Sequence, residues 1–248
     1  MAGKDLRGKT ALITGAGRRL GRAIALALAA EGVNIMIHYP EPDEEVNDLG
    51  QEITGMGVKS WSVKADFEKP DEYNNLIERA LEDAGSLDIL INNASIFLPD
   101  TLKKIDFESM AKHMYINTWV PLVLSRHFAE KVGQGNIINM LDSRITGYDW
   151  SHVAYILSKQ ALAMLTRMTA LEFAPKITVN GVAPGLILPP PGRDEAYLDL
   201  LKDSLPLKKH GQAADISETI IYLLKADFVT GQIIYVDGGR HLKEESNG

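Results

Sequence analysis

The sequence predicts a single α/β domain with a doubly wound, mostly parallel seven-stranded sheet and helices on both faces. Three observations carry that expectation. Seven short apolar runs recur along the chain, helical patterns separate them, and a glycine turn joins the first run to the first helix. The runs are near-continuous rather than alternating, as strands buried on both faces must be, and right-handed crossovers then cover both sides of the sheet.

The first strand is Ala11 to Thr14, followed by Gly15-Ala16-Gly17-Arg18-Arg19-Leu20-Gly21 and an alanine-rich helix from Leu20 to Ala30. Glycines here let the backbone approach a pyrophosphate, and the helix start offers unpaired N–H groups and partial positive charge to phosphates. Arg19 replaces the second glycine of the usual pattern, so an ordinary strand-to-helix turn is the competing reading. Strand Asn34–His38, helix Glu44–Thr54 and strand Ser60–Ala65 complete a βαβαβ unit. A helix near Asp71–Asp83, strand Leu87–Asn92, a long helix Phe107–Lys131 and strand Asn136–Leu141 follow. Helix Val153–Phe173 and strands Ile177–Val182 and Ile233–Val236, with helix Ala214–Leu224 between them, finish the pattern. Only Gly185 to Gly211 resists it. That stretch is rich in proline and reads as a flap over a site rather than a boundary. With no repeat and no linker, residues 1–248 are expected to form one dinucleotide-binding Rossmann domain.

Composition narrows the classes. At 248 residues and 45% hydrophobic content the chain can fill one large core. Its net charge of -7, without a basic block, argues against a nucleic-acid partner. There is no cysteine, hence no disulfide and no thiol catalysis. No apolar run approaches the roughly 18 residues of a membrane span, and the polar start Met1–Lys9 lacks an export signal. A cytoplasmic protein acting on a small molecule, without membrane or metal, is the expectation. His113, His127, His152, His210 and His241 have no metal-site spacing.

In a doubly wound sheet, ligands sit beyond the carboxyl ends of the strands. An acidic residue ending the second strand would grip a ribose 2′-hydroxyl. His38 stands there instead, removing a carboxylate that would repel a 2′-phosphate, so NADP is favoured over NAD. Arg18 and Arg19 are available cations, whereas Glu41, Asp43, Glu44 and Glu45 form an acidic cluster nearby, suited also to a helix's first turn. Asp66, after the third strand, is placed either to accept from an adenine amino group or to cap a turn. Asn92-Asn93-Ala94-Ser95 ends the fourth strand, with amides to brace the turn and a small residue to admit a flat ring. Pro121 lies inside the long helix and deprives the Asn117 carbonyl of its partner, which leaves either a water site or a simple kink.

Tyr155 and Lys159 are four apart and share a helix face following Asp142 at the end of strand five. A neighbouring ammonium would lower the phenol's pKa from about 10 and suit Tyr155 to general-acid work. A solvated surface pair is the alternative for such a spacing taken alone.

Together, Thr14-Gly15, Asn92-Asn93-Ala94, Asn117, Tyr155, Lys159, Pro184-Gly185 and Val236-Asp237-Gly238-Gly239 resemble the short-chain dehydrogenase/reductase family over nearly the whole chain. The resemblance implies that Tyr155 donates a proton, that Lys159 assists it and holds the nicotinamide ribose, and that Asn117 anchors a water through its carbonyl. Two departures, Asp142 for the family's serine and Arg19 for a glycine, are similar to the pteridine reductases and bacterial dihydromonapterin reductases. Arg18-Arg19-Leu20-Gly21, His38-Tyr39 and Ser95-Ile96-Phe97 share that likeness. It implies an NADP(H) site at Gly15, Arg18, Arg19, Leu20, Gly21, His38, Tyr39, Asp66, Phe67, Asn93, Ala94, Ser95, Tyr155, Lys159, Pro184 and Gly185. It implies a pterin-like substrate held by Arg19, Ser95, Phe97, Asp142 and Tyr155. The chain differs from the subgroup at Glu41 and Pro42, where an Arg and a Ser contact the 2′-phosphate, and at Ile187 and Leu188, where a hydroxyl is usual. The expected activity is NADPH-dependent reduction of a pterin-like C=N bond. The alternatives are reduction of a ketone or sugar carbonyl, or a dinucleotide-binding sensor without catalysis. The family also implies a homotetramer, a dimer of dimers.

Overall fold

A computed structural model describes residues 4–190 and 192–244. Of the expected single domain and its flap at about 185–211, residues 1–3, 191 and 245–248 lie outside the described residues. Seven parallel strands form one sheet: β1 (Thr10–Ile13), β2 (Asn34–Tyr39), β3 (Ser60–Lys64), β4 (Ile89–Asn92), β5 (Gly135–Met140), β6 (Ile177–Pro184) and β7 (Ile233–Val236). Their order is β3-β2-β1-β4-β5-β6-β7. The winding therefore reverses between β1 and β4, which pair with Ile13 opposite Ile91. A crevice opens past the ends of these two strands, where such sheets bind ligands.

Because successive strand residues face opposite sides, each strand feeds two cores. Ile13, Ile35, Ile37 and Ile91 pack on one face with Ile24 and Leu28 of helix α1 (Arg19–Ala30), Leu49 of α2 (Glu44–Gly55) and Ile220 of α9 (Ala213–Lys225). Leu12, Met36 and Leu90 pack on the other with Val120, Leu124 and Phe128 of α6 (Val120–Lys131).

All seven expected strands are present, with shifted ends. The helix expected at Asp71–Asp83 is two, α3 (Pro70–Asn74) and α4 (Leu76–Ala84), broken at Asn75 (φ -98°, ψ 3°), whose side chain donates to the Asp71 carbonyl. The long helix is also divided. α5 (Phe107–Met114) passes through one wide turn of π geometry, Tyr115–Trp119, into α6. Pro121 has no N–H to close a regular turn, and the Val120 N–H bonds to the Tyr115 carbonyl, five residues back. The proline-rich stretch after β6 carries a helix of its own, α8 (Glu195–Leu201), and a 3-10 turn at Lys202–Ser204. α7 (Val153–Glu172) is unbroken, and a short α10 (Arg240–Glu244) follows β7.

Candidate active site

The crevice is a cleft of about 460 Å³. Eleven of the predicted cofactor residues line it: Gly15, Arg18, Arg19, Leu20, Gly21, His38, Asp66, Phe67, Asn93, Ala94 and Ser95. Gly15 has φ 63°, and a Cβ there would meet the Ala94 Cα at 3.2 Å. A Cβ on Gly21 would lie 2.2 Å from the Gly15 carbonyl oxygen. The turn is thus a cradle in which side chains are excluded from the floor, as close approach of a pyrophosphate requires. Arg19 has φ 53°, the left-handed region that explains why a glycine is usual at this position. Its guanidinium donates to the Pro189 carbonyl at 2.7 Å and so reaches the stretch after β6.

The turn is braced from β4. Thr14 Oγ1 accepts the N–H groups of Asn93 and Ala94, each at 2.9 Å. The Asn93 amide donates to the Thr14 and Gly15 carbonyls. His38 is a second brace. Its Nδ1 accepts the Gly15 N–H at 3.0 Å, its Nε2 lies 2.8 Å from the Ala65 carbonyl, and its ring stacks on Phe67 at 4.4 Å. Burial pulls its pKa down from 6.5 to about 4. Both ring nitrogens face protein, so His38 shapes the cleft rather than offering a charge to it. Tyr39 lines an adjoining groove with Gly17, Arg18, Glu41 and Asp43. Glu41 faces Lys64 at 3.5 Å. Pro184 and Gly185 end β6 against β7; a Cβ on Gly185 would come within 2.5 Å of the Asp237 Cβ. Among the described residues they pack the sheet edge and do not line the cleft.

Asn117 links the cleft to α7. Its Oδ1 accepts from Ser95 Oγ (3.0 Å) and the Ile96 N–H (2.9 Å), and its Nδ2 donates to the Ile96 carbonyl (3.0 Å) and Ser158 Oγ (3.0 Å). Ser158 sits between Tyr155 and Lys159 and donates to the Tyr155 carbonyl.

The Tyr155 hydroxyl donates to Asp142 Oδ2 at 3.1 Å. Lys159 Nζ donates to the Met140 carbonyl at 2.8 Å and lies 5.7 Å from the centre of the Tyr155 ring. Burial raises the Tyr155 pKa well above 10, Asp142 adds to the rise, and the opposing cation is Arg144. The net direction runs against the expected lowering of the phenol: desolvation and Asp142 outweigh the Arg144 cation beside it. Burial lowers Lys159 itself from 10.5 to about 8, against the pull of Asp142. Ser143, beside Asp142, is buried, and its hydroxyl has no hydrogen-bond partner.

Phe97 is 43% exposed, so it is no core residue. It stacks on His152 at 3.9 Å and meets the Tyr155 ring edge-on at 4.6 Å. Three neighbours of the candidate site, Asp100, Arg144 and Asp149, escaped sequence reasoning. Asp100 crosses from the loop after β4 to accept the Val153 and Ala154 N–H groups at the start of α7. Arg144 pairs with both Asp142 and Asp149. The signal was faint: an Asp-x-Arg directly after a strand, with acids nearby in a loop.

The chain matches the family model described as enoyl-(acyl carrier protein) reductase over residues 15–241. The 3-oxoacyl-[acyl-carrier-protein] reductase FabG of Staphylococcus epidermidis is 34% identical over 250 residues, spanning 94% of this chain and 99% of that protein. FolM alternative dihydrofolate reductase 1 from Brucella canis, solved with NADP, superposes with a TM-score of 0.90 at 30% identity over 96% of both chains. A blue fluorescent protein from a metagenomic library, solved with NADPH, gives 0.86 at 31% identity over 96% of this chain and 99% of that one. A short-chain dehydrogenase/reductase from Serratia marcescens gives 0.88 at 27% over 96% and 100%. With the glycine cradle, the reversed sheet winding and the Tyr155–Lys159 helix, these likenesses place the chain in the short-chain dehydrogenase/reductase family of NAD(P)H-dependent oxidoreductases.

Proposed function

We propose that the protein is an NADPH-dependent reductase of a pterin-like, bicyclic C=N substrate. The observation that carries this reading is the contact between Tyr155 and Asp142, a carboxylate where a hydroxyl is usual in the family. NADP(H) is supported by the NADP and NADPH held by the two neighbouring structures and by the glycine cradle with Arg18 beside it. When bound, it supplies the hydride. Tyr155 gives its hydroxyl proton to the substrate nitrogen that gains charge, and Asp142 orients that hydroxyl; the Oδ2 position vacated as the proton leaves is open to a substrate N–H. Lys159, fixed on the Met140 carbonyl, keeps positive charge beneath the phenol. The half-exposed Phe97 ring offers an aromatic edge and rim to a flat heterocycle.

A carbonyl reading stands beside it, favoured by the 34% identity to a 3-oxoacyl reductase and by Arg144, which offsets the Asp142 charge that would oppose an oxyanion. NADPH oxidation measured side by side with dihydrobiopterin, dihydrofolate, acetoacetyl-CoA and simple ketones separates the two. We expect kcat/KM on a dihydropterin to exceed that on any carbonyl; turnover of carbonyls alone overturns the pterin assignment. We further infer a homotetramer, supported by the exposed apolar residues Leu157, Met164, Met168 and Leu171 along α7. Light scattering on the eluting protein tests it, and a monomer would refute it.

A further inference from the structure

We propose that Arg144 is the positioning residue of the proton-transfer site: its guanidinium, seated between Asp142 and Asp149, fixes the Asp142 carboxylate with one oxygen turned to the Tyr155 hydroxyl. The proposal deepens the functional reading above and rests on Tyr155 being the proton donor.

The geometry is a two-sided clamp. The Arg144 main-chain N–H and Nε both donate to Asp142 Oδ1, each at 2.9 Å, while Nη2 donates to Oδ2 at 2.8 Å. That same Oδ2 accepts the Tyr155 hydroxyl. A planar fork engaging both oxygens leaves the carboxylate little freedom to rotate. The other side is anchored as firmly. Nη1 donates to Asp149 Oδ2, and Asp149 Oδ1 is held by the Ser151 N–H at 2.8 Å and Ser151 Oγ at 2.7 Å. Asp149 Oδ2 also lies 3.2 Å from His152 Nδ1, the ring stacked on Phe97. The guanidinium carbon is 5.3 Å from the centre of the Phe97 ring and 5.7 Å from that of Tyr155, so the clamp is walled by both aromatics.

Arg144 is only 16% exposed and Asp142 14%. In such a place a carboxylate beside a phenol makes that phenol hold its proton, and a cation bonded to the carboxylate relieves the effect. Lys159 donates instead to Met140. Charge and direction at the hydroxyl are therefore set by a residue that makes no hydrogen bond to that hydroxyl but holds the carboxylate that does.

The test uses the full-length protein with saturating NADPH and the best substrate from the panel above. Arg144→Ala should lower kcat by roughly 10²-fold, the scale of a misaligned proton transfer, while NADPH affinity, followed by cofactor fluorescence, and substrate KM change little. Guanidinium ion at low millimolar concentration should restore part of kcat in Arg144→Ala and none in Tyr155→Phe. In an Asp142→Asn background, removing Arg144 should cost far less than in the native protein. Arg144→Lys keeps a charge but loses the fork; it should remain impaired in kcat and serves as the probe if the alanine variant does not fold. Unchanged kcat with a raised KM, no guanidinium rescue, or an equal loss in both Asp142 backgrounds overturns the proposal. If Tyr155→Phe itself stays active, the Tyr155 reading fails first, whatever Arg144 does.

Discussion

His38 and Gly15 are joined ring to backbone, with the Gly15 N–H donating to His38 Nδ1 at 3.0 Å. The opposite nitrogen faces a carbonyl, that of Ala65, so the proton sits on Nε2 and the ring is neutral. An unfolded chain binds a proton here near pH 6.5, the native one only near pH 4. Stability from this site is therefore complete above pH 6.5 and is lost as pH falls toward 4, by up to roughly 3 kcal/mol. Thermal melts of the wild type should show a lower Tm at pH 4.5 than at pH 7. His38→Gln should melt lower at pH 7 and respond less to acid; an equally steep response would refute the role.

Tyr155→Phe keeps the ring contacts with Phe97 but removes the transferable proton and the bond to Asp142. Turnover should fall by roughly 10²-fold or more with cofactor affinity retained. Steady-state rates and fluorescence titration of NADPH check the two halves separately.

Lys159 is a buried cation brought down to about 8. As pH rises through that value it loses its charge, and kcat/KM for reduction, which reports the free enzyme, should decline above about pH 8. Lys159→Arg should move that decline to higher pH. A flat profile to pH 9.5 in the wild type would contradict a charged Lys159 in the reaction.

Arg18 lines both the main cleft and the groove beside Tyr39 and Glu41, whereas Arg19 is engaged with the Pro189 carbonyl. NADPH should bind more tightly than NADH, with the gap narrowing as salt is raised. Arg18→Ala should shrink that preference by roughly tenfold, while Arg19→Ala should weaken both dinucleotides alike. Equal affinities for the two cofactors at low salt would remove the case for Arg18.

The strands were legible because strands buried on both faces leave continuous apolar runs, and the same physics made Thr14 to Gly21 readable as a turn into a helix. What the sequence hid lies where tertiary partners override local pattern. The break at Asn75 depends on one side chain turning back to Asp71. Pro121 announced a disturbed helix, but not that the turn would widen at Tyr115–Trp119 ahead of it. α8 is seven residues long and buries Leu198 alone, too little periodicity to stand out from its prolines. At the site, Tyr155, Lys159 and Asp142 converge as their spacing implies. Arg144 was invisible because its meaning comes from two carboxylates that the chain folds to either side of it. His38 was read by what it lacks, a negative charge, and its actual work as a neutral brace needed the position of Gly15.

The Asn117 side chain makes four hydrogen bonds, two through its oxygen and two through its nitrogen. An amide in that state is saturated: it has no lone pair or proton left to trade with a guest. Any water or ligand group recognised at this turn must deal with main-chain atoms. Asn117→Asp, identical in shape, would swap two donors for acceptors facing the Ile96 carbonyl and Ser158 Oγ. That one exchange would set an oxygen against the Ile96 carbonyl and so loosen the β4 loop from the turn behind it, with the outline of the side chain unchanged.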